Sequence, residues 1–346
     1  MRLMFDKVKI YRLPLKKSLS VRPGQSIAAR ELAIVGFKKS DGKLFFGELS
    51  PLLGLHSESL VEAIDQLKSV INRIAPSGDF NIDFMQTAPS WTKPFFGYFD
   101  FEGVYPSVLC AIEQVLWSAY HDSVKTKFAT TVDIAGFISD PLAKDLDVEA
   151  LRACRSVKIK IGRYDIYKEV AAIEAIRPML APGASIRLDP NQSLSLEDFD
   201  TLAKAKDSIG IDYLEEPFED SSIYSKLSGT LNIALDESTY DRPPGNLDQN
   251  LMLSLKPGRL GFSTVMAWAE HLSNINQQLV LSSSYESGIG TSYLIQLADV
   301  LGVQKPLGIG TYMQLQDDLL DPALPLRFGP CQINHDGLVP VAWSES

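Results

Sequence analysis

The sequence predicts an α/β protein: a closed ring of parallel strands preceded by a smaller α+β region. From about residue 130, eight short apolar runs (TVDIAGFI, SVKIKIG, SIRLDPN, IDYLEEP, LNIALDES, LMLSLKP, QQLVLSSS and PLGIGTY) alternate with helix-like segments. Their ends fall about 20–30 residues apart, roughly the length of one strand plus one helix. Nearly every run also ends on a polar residue, and a barrel gathers all such ends at one mouth, whereas an open sheet would scatter them.

Ahead of this repeat the texture differs. Residues 7–13, 29–37 and 43–49 alternate as strands do, and Ser40-Asp41-Gly42 makes the last two a hairpin. A helix is expected from Ser57, with Glu58 in its first turn and apolar spacing through Leu60, Ala63, Ile64 and Leu67. Ala88–Tyr105 is rich in Pro, Gly and aromatic residues, and a second helix is expected from Pro106 through Trp117, with Pro106 in its first turn. At the other end, from about Leu326, an Asp336-Gly337 turn precedes the short run LVPVAW, which could return to the N-terminal strands.

Composition narrows the function classes. A chain of 346 residues exceeds one ordinary compact core. Hydrophobic content of 45% with 22% charged residues describes a folded globular chain. The net charge of −10, with no basic tract beyond Lys16-Lys17 and Lys38-Lys39, argues against a nucleic-acid partner. Cys110, Cys154 and Cys331 are too dispersed for a disulfide framework or a thiolate zinc site, which suits a reducing cytoplasm. No signal-peptide core and no bilayer-length apolar run is apparent, so a cytoplasmic protein without a membrane partner is expected.

The chemistry lies at the strand ends. Asp189, Glu215 and Asp236 close three consecutive runs, so a barrel would aim three carboxylates at one mouth. Three hard oxygen donors with room for water or substrate describe a Mg²⁺ site better than a zinc site. None of the four histidines, His56, His121, His271 and His335, falls at a strand end, so proton transfer passes to the lysines. Lys158 and Lys160 share one face of SVKIKIG, one strand before the carboxylates; Lys256 follows them by one strand, on the opposite flank of the ring. Taken alone, Lys-x-Lys is what a solvated sheet face looks like. Beside the acids it has a use, because a neighbouring ammonium and a divalent cation both push a lysine toward the neutral form that a base requires. Proton removal next to a carboxylate builds an enediolate, whose charge a metal on that carboxylate would offset. Arg187 shares the inward face of Asp189 and suits interior charge balance or an ordinary ion pair.

With these residues in place the sequence resembles the enolase superfamily, and within it the o-succinylbenzoate synthases of menaquinone biosynthesis. The matching pieces are Lys158-Ile159-Lys160, Leu188-Asp189-Pro190-Asn191, Leu214-Glu215-Glu216-Pro217, Leu235-Asp236-Glu237-Ser238, Leu255-Lys256-Pro257, the run from Ser282 to Ser287, and Gly308-Ile309-Gly310-Thr311. Gly47-Glu48 followed by Pro51, and the helix from Pro106, extend the likeness toward the N-terminus.

The resemblance implies a modified (β/α)7β TIM-type barrel, residues 126–325, with an α+β capping domain over 1–125 completed by about 326–346. It implies Mg²⁺, with Mn²⁺ as a substitute, on Asp189, Glu215 and Asp236. Glu215 is preferred to Glu216 from its place in the family's motif, since strand alternation does not decide between them; Glu216 and Glu237 would stand behind the ligands. By the same likeness Lys160 is the base for a small-molecule carboxylate substrate and then the acid for its departing hydroxyl, with Lys158 as its neighbour. Lys256 would stabilise the intermediate over its ring. Asn191, Ser283 and Gly310 would line the substrate, with backbone N–H groups near Ser283 and Gly310 offered to its succinyl carboxylate. The LVPVAWSES ending and the loop from Leu19 to Ala29 depart from the family pattern. The resemblance leaves open a homo-oligomer. Within the superfamily the alternative is an N-acylamino acid racemase or dipeptide epimerase, though the Asp-x-Asp pair typical of dipeptide epimerases is replaced by the Gly308–Thr311 segment. A remoter alternative is a barrel that only binds a carboxylate.

Overall fold

The structure, a computed structural model, describes residues 2–22, 25–74, 79–81, 102–129, 131–240, 245, 247, 250–272, 274–336 and 338–344. Most of the Pro- and aromatic-rich segment (88–101), residues 23–24 of the loop from Leu19, Gly337 of the expected turn and residues 345–346 of the C-terminal run lie outside the described residues.

The N-terminal region is an antiparallel sheet of β1 (Arg2–Arg22), β2 (Gln25–Lys39), β3 (Leu44–Leu49) and β4 (Asp79–Asn81), in the order β3-β2-β1-β4. The first two strands run longer than their alternation predicts, and their register slips between Pro14 and Leu19. Pro14 has no N–H to give the ladder, so the strand bulges there, and its carbonyl accepts from Gln316 N at 2.8 Å.

Helices α1 (Leu60–Ile74) and α2 (Pro106–Val124) cover one face, burying Val35, Phe37, Phe45 and Leu49 against Leu67, Val108, Ala111 and Leu116. The first helix starts at Leu60, three residues later than Ser57. Ser59 and Glu62 form the reciprocal cap, with Ser59 N donating to Glu62 Oε2 at 2.8 Å and Glu62 N to Ser59 Oγ at 3.3 Å. Glu58 accepts instead from the hydroxyls of Ser57 and Ser107. The second helix continues past Trp117 to Val124 and ends at Lys125 in the left-handed region. It crosses β3 closely: a Cβ on Gly47 would stand 1.9 Å from the Ala111 carbonyl oxygen.

The barrel strands are β6 (Gly136–Ile138), β7 (Ser156–Lys160), β8 (Ser185–Asp189), β9 (Ile211–Glu215), β10 (Ile233–Leu235), β11 (Leu251–Leu255) and β12 (Leu279–Leu281), a continuous parallel sheet in chain order. TVDIAGFI is two strands, not one. Its first half, β5 (Thr131–Ile134), pairs antiparallel with β13 (Gly329–Gln332). PLGIGTY is not a regular strand, yet it closes the ring. Leu307 exchanges hydrogen bonds with Asp133 and Ala135 on one side, and Gly308 N reaches Leu281 O at 2.8 Å on the other.

The expected fold is therefore present, an eight-membered β/α ring under an α+β cap. Of the C-terminal run, Trp343 packs edge-on against Phe46 at 4.9 Å and donates to Asp6 at 3.2 Å. Among the described residues no helix is long and apolar enough to cross a membrane.

Candidate active site

At the carboxyl ends of the barrel strands lies a cavity of about 240 Å³. Lys158, Lys160, Asp189, Asn191, Lys256, Ser283 and Gly310 all line it; Glu215 and Asp236 are not part of its wall. Strand geometry explains the grouping. Lys158 pairs with Arg187 and Lys160 with Asp189 across β7 and β8, so residues two apart stack on the inward face. The apolar side of the cavity comes from Leu19, the 52–55 loop of the cap and Phe137.

The three carboxylates are 2–3% exposed, and each is paired with an ammonium group. Lys158 Nζ lies 2.6 Å from Glu215 Oε1 and 2.8 Å from Asp189 Oδ2. Lys160 Nζ donates to Asn191 Oδ1 at 2.6 Å and stands 3.3 Å from Asp189 Oδ2. Lys256 pairs with Asp236, whose other oxygen accepts from Tyr240 at 2.5 Å. Among the described residues, no three His, Cys, Asp or Glu side chains converge tightly enough to form a ready-made metal cluster.

A divalent ion nevertheless has suitable donors here. All three groups are hard oxygens, and Glu215 Oε2 is buried with no hydrogen-bond partner, the kind of orphaned acceptor a cation would satisfy. Glu216 differs. Its Oε1 accepts from Tyr224 at 3.0 Å, and its Oε2 accepts from Asp236 N at 2.7 Å and from the N–H and hydroxyl of Ser238 at 3.1 and 3.0 Å. That carboxylate is consumed in holding the turn after β10.

Electrostatics separate the groups further. Burial opposes charge on Lys158, but Asp189 and Glu215 outweigh it and raise its pKa. Lys256 is likewise raised: burial is again the largest influence, and Asp236 heads the groups that overcome it. Burial pushes the Glu215 carboxyl up, opposed by Lys158. Asp189 is driven down: burial works against its charge, but Lys158 and Lys160 prevail.

One expectation is corrected. The Ser283 N–H is not available to a substrate, because it donates to the Gly308 carbonyl at 3.1 Å as part of ring closure. The Ser283 hydroxyl, 2.5 Å from that of Thr311, remains at the cavity wall. Sequence reasoning also missed Tyr240 and the 52–55 loop. The apolar run LLGL directly after Pro51 was a usable signal for the loop; Tyr240 had none.

The chain resembles known proteins over most of its length. The chain is 25% identical to the o-succinylbenzoate synthase of Edwardsiella ictaluri, covering 90% of this chain and 91% of that protein. It is 22% identical to the chloroplastic protein PHYLLO of Arabidopsis thaliana over 87% of this chain, but spans only 20% of that much longer protein. Among solved structures, the o-succinylbenzoate synthase of Thermosynechococcus elongatus BP-1, with Mg in its active site, superposes with a TM-score of 0.68 at 20% identity, covering 92% of this chain and 96% of that one. The L-Ala-D/L-Glu epimerase of Bacillus subtilis superposes with a TM-score of 0.72 at 16% identity and 96% coverage of both. Residues 142–332 match the family described as Enolase C-terminal domain-like, more than half of the sequence, and the chain belongs to the enolase superfamily.

Proposed function

We propose that the protein is an o-succinylbenzoate synthase, a hydro-lyase of menaquinone biosynthesis that dehydrates 2-succinyl-6-hydroxy-2,4-cyclohexadiene-1-carboxylate. Lys160 takes the proton α to the substrate carboxylate and returns it to the departing hydroxyl on the same face, so that water leaves and the ring becomes aromatic. Lys160 suits this role better than Lys158: its side chain is 26% exposed against 15%, and its closest partner is a neutral amide, not two carboxylates. Asn191 aims the Lys160 amine through its side-chain oxygen. Lys256, from the other flank, compensates charge on the ring. Asp189, Glu215 and Asp236 would hold Mg²⁺, or Mn²⁺ in its place. When bound, the ion supplies positive charge to the substrate carboxylate as negative charge builds there.

The observation that carries the choice within the superfamily is the closing segment. A Cβ on Gly308 would stand 2.4 Å from Ser282 Oγ, and one on Gly310 would meet the Phe328 ring at 3.0 Å and Phe137 Cβ at 3.1 Å. Ile309 between them is fully buried. The stretch where a dipeptide epimerase carries its Asp-x-Asp pair is crowded at both glycines here, which opposes acidic side chains at these two positions. With Leu19, the 52–55 loop and Phe137, the cavity suits a carboxylate on an apolar ring. The second reading, racemisation or epimerisation, draws on Lys160 and Lys256 both lining the cavity. An assay of the cyclohexadiene carboxylate beside N-acyl amino acids and dipeptides decides. Dehydration faster than any racemisation or epimerisation is expected; turnover of dipeptides alone would reverse the assignment, and no turnover of any of them would favour a carboxylate-binding barrel.

On this reading residues 1–125 with about 326–346 are the capping domain and 126–325 the barrel. A cytoplasmic location accords with three buried, unpaired thiols.

A further inference from the structure

We infer that Tyr240 is a positioning residue joining two halves of the site: its hydroxyl fixes Asp236 and Lys256, while its ring anchors, through Arg259, the apolar loop that covers the substrate. The inference rests on the function proposed above but reaches residues outside the expected set.

Tyr240 follows the short 3-10 helix Glu237–Thr239, and its N–H donates to Glu237 O at 3.0 Å, which sends the side chain back toward the strand end. The hydroxyl donates to Asp236 Oδ1 at 2.5 Å and stands 3.4 Å from Lys256 Nζ. The Asp236 carboxylate is thus held at both oxygens, one by a neutral phenol and one by an ammonium. Without the phenol it keeps a single, mobile partner.

The other end of the same side chain faces the cap. The Arg259 guanidinium lies 4.6 Å over the Tyr240 ring, and Arg259 Nε donates to the Leu55 carbonyl at 3.0 Å. Leu55 lines the cavity. His56, next in the loop, reaches the Gly258 carbonyl at 3.1 Å, so two contacts fasten the loop to the turn directly after Lys256. That turn is itself tied to Lys256, whose carbonyl accepts from Arg259 N at 2.9 Å and Leu260 N at 3.1 Å. Loop, turn and lysine form one linked unit, and Tyr240 is wedged between it and Asp236. A guanidinium suits this place because it can lie over the ring while its Nε donates in the guanidinium's own plane; an ammonium does not do both.

The two ends predict separable effects. Tyr240→Phe keeps the ring beneath Arg259 and deletes only the hydroxyl. Mg²⁺ affinity, measured by titration calorimetry without substrate, should weaken about tenfold, with kcat falling by a similar factor and KM holding within about twofold. Arg259→Lys should do the reverse, raising KM several-fold while leaving Mg²⁺ affinity at the wild-type value. Thermal unfolding of both variants checks that the fold is kept. Unchanged Mg²⁺ affinity and kcat in Tyr240→Phe would overturn the inference, as would parallel losses in kcat, KM and melting temperature in both variants. If the wild type fails to dehydrate the cyclohexadiene carboxylate, the functional reading fails, while the Mg²⁺ comparison still tests the role of the hydroxyl at Asp236.

Discussion

Glu215 and Glu216 are neighbours in the chain with opposite fates: Glu215 Oε2 is buried with no hydrogen-bond partner, while Glu216 accepts four hydrogen bonds, all from side chains and N–H groups of the surrounding turns. Glu216 has φ of 42°, in the left-handed region, directly after the last residue of β9.

The pair should therefore separate function from stability. Glu215→Gln keeps size and packing but removes the charge, and should lower kcat at least about a hundredfold with little change in melting temperature. Glu216→Ala leaves buried donors from Tyr224, Asp236 and Ser238 unmet and should cost about 3 kcal/mol of stability. Denaturant unfolding of both variants, with kinetics on each, measures the contrast.

Lys160→Ala should abolish dehydration, a loss of about 10²–10⁴ from removal of a general base. Lys158→Ala should instead weaken the site electrostatically, since its ammonium bridges Asp189 and Glu215. Solvent-deuterium exchange at the substrate α-carbon distinguishes them: exchange should vanish without Lys160 and persist, slowed, without Lys158.

Removing divalent ions with a chelator should eliminate turnover, and Mg²⁺ should restore it, with Mn²⁺ as a partial substitute. Full activity in excess chelator would contradict a metal role for Asp189, Glu215 and Asp236. The same titration followed by thermal unfolding should show Mg²⁺ raising the melting temperature, as any ligand of the folded state does.

Acid stability should depend on two buried histidines. Burial lowers His56 and His121 to about 4 from the ordinary value near 6.5. Between pH 6.5 and 4 the unfolded chain takes up protons that the folded chain refuses, so these groups make stability fall as pH falls through that window. His121 sits among Trp117, Tyr120 and Phe128, with ring centroids 4.4–5.1 Å away, and His121→Phe should fit there. It should flatten the pH dependence of the unfolding free energy over that window by one proton, about 1.4 kcal/mol per pH unit.

The sequence made the barrel legible because its signal is periodic. Apolar runs recur at the β/α interval, and Lys160, Asp189 and Glu215 are the last residues of their strands, as their order predicted. The helix starting at Leu60 was misplaced because two acidic residues, Glu58 and Glu62, both suit a first turn, and only three-dimensional contact assigns Glu58 to Ser107. The closing segment read as a strand because PLGIGTY has strand composition, but Gly308 must lie flush against Ser282, and only two residues join the ladder. Tyr240 could not be foreseen, since its ring partner Arg259 and the Leu55 carbonyl that Arg259 holds meet only once the cap is docked.

Ring closure through Leu307 and Gly308 bears on how the protein comes to be folded. Until that segment is in place, β6 and β12 are open sheet edges with bare N–H and C=O groups, able to pair with another chain. On the β6 side the sealing bonds join Asp133 and Ala135 to Leu307, contacts of very long sequence separation, the kind that form late and slowly. A nascent or partly unfolded molecule is then a sticky half-cylinder, and substitutions near Gly308 should show themselves as aggregation during synthesis before they show any loss of catalysis.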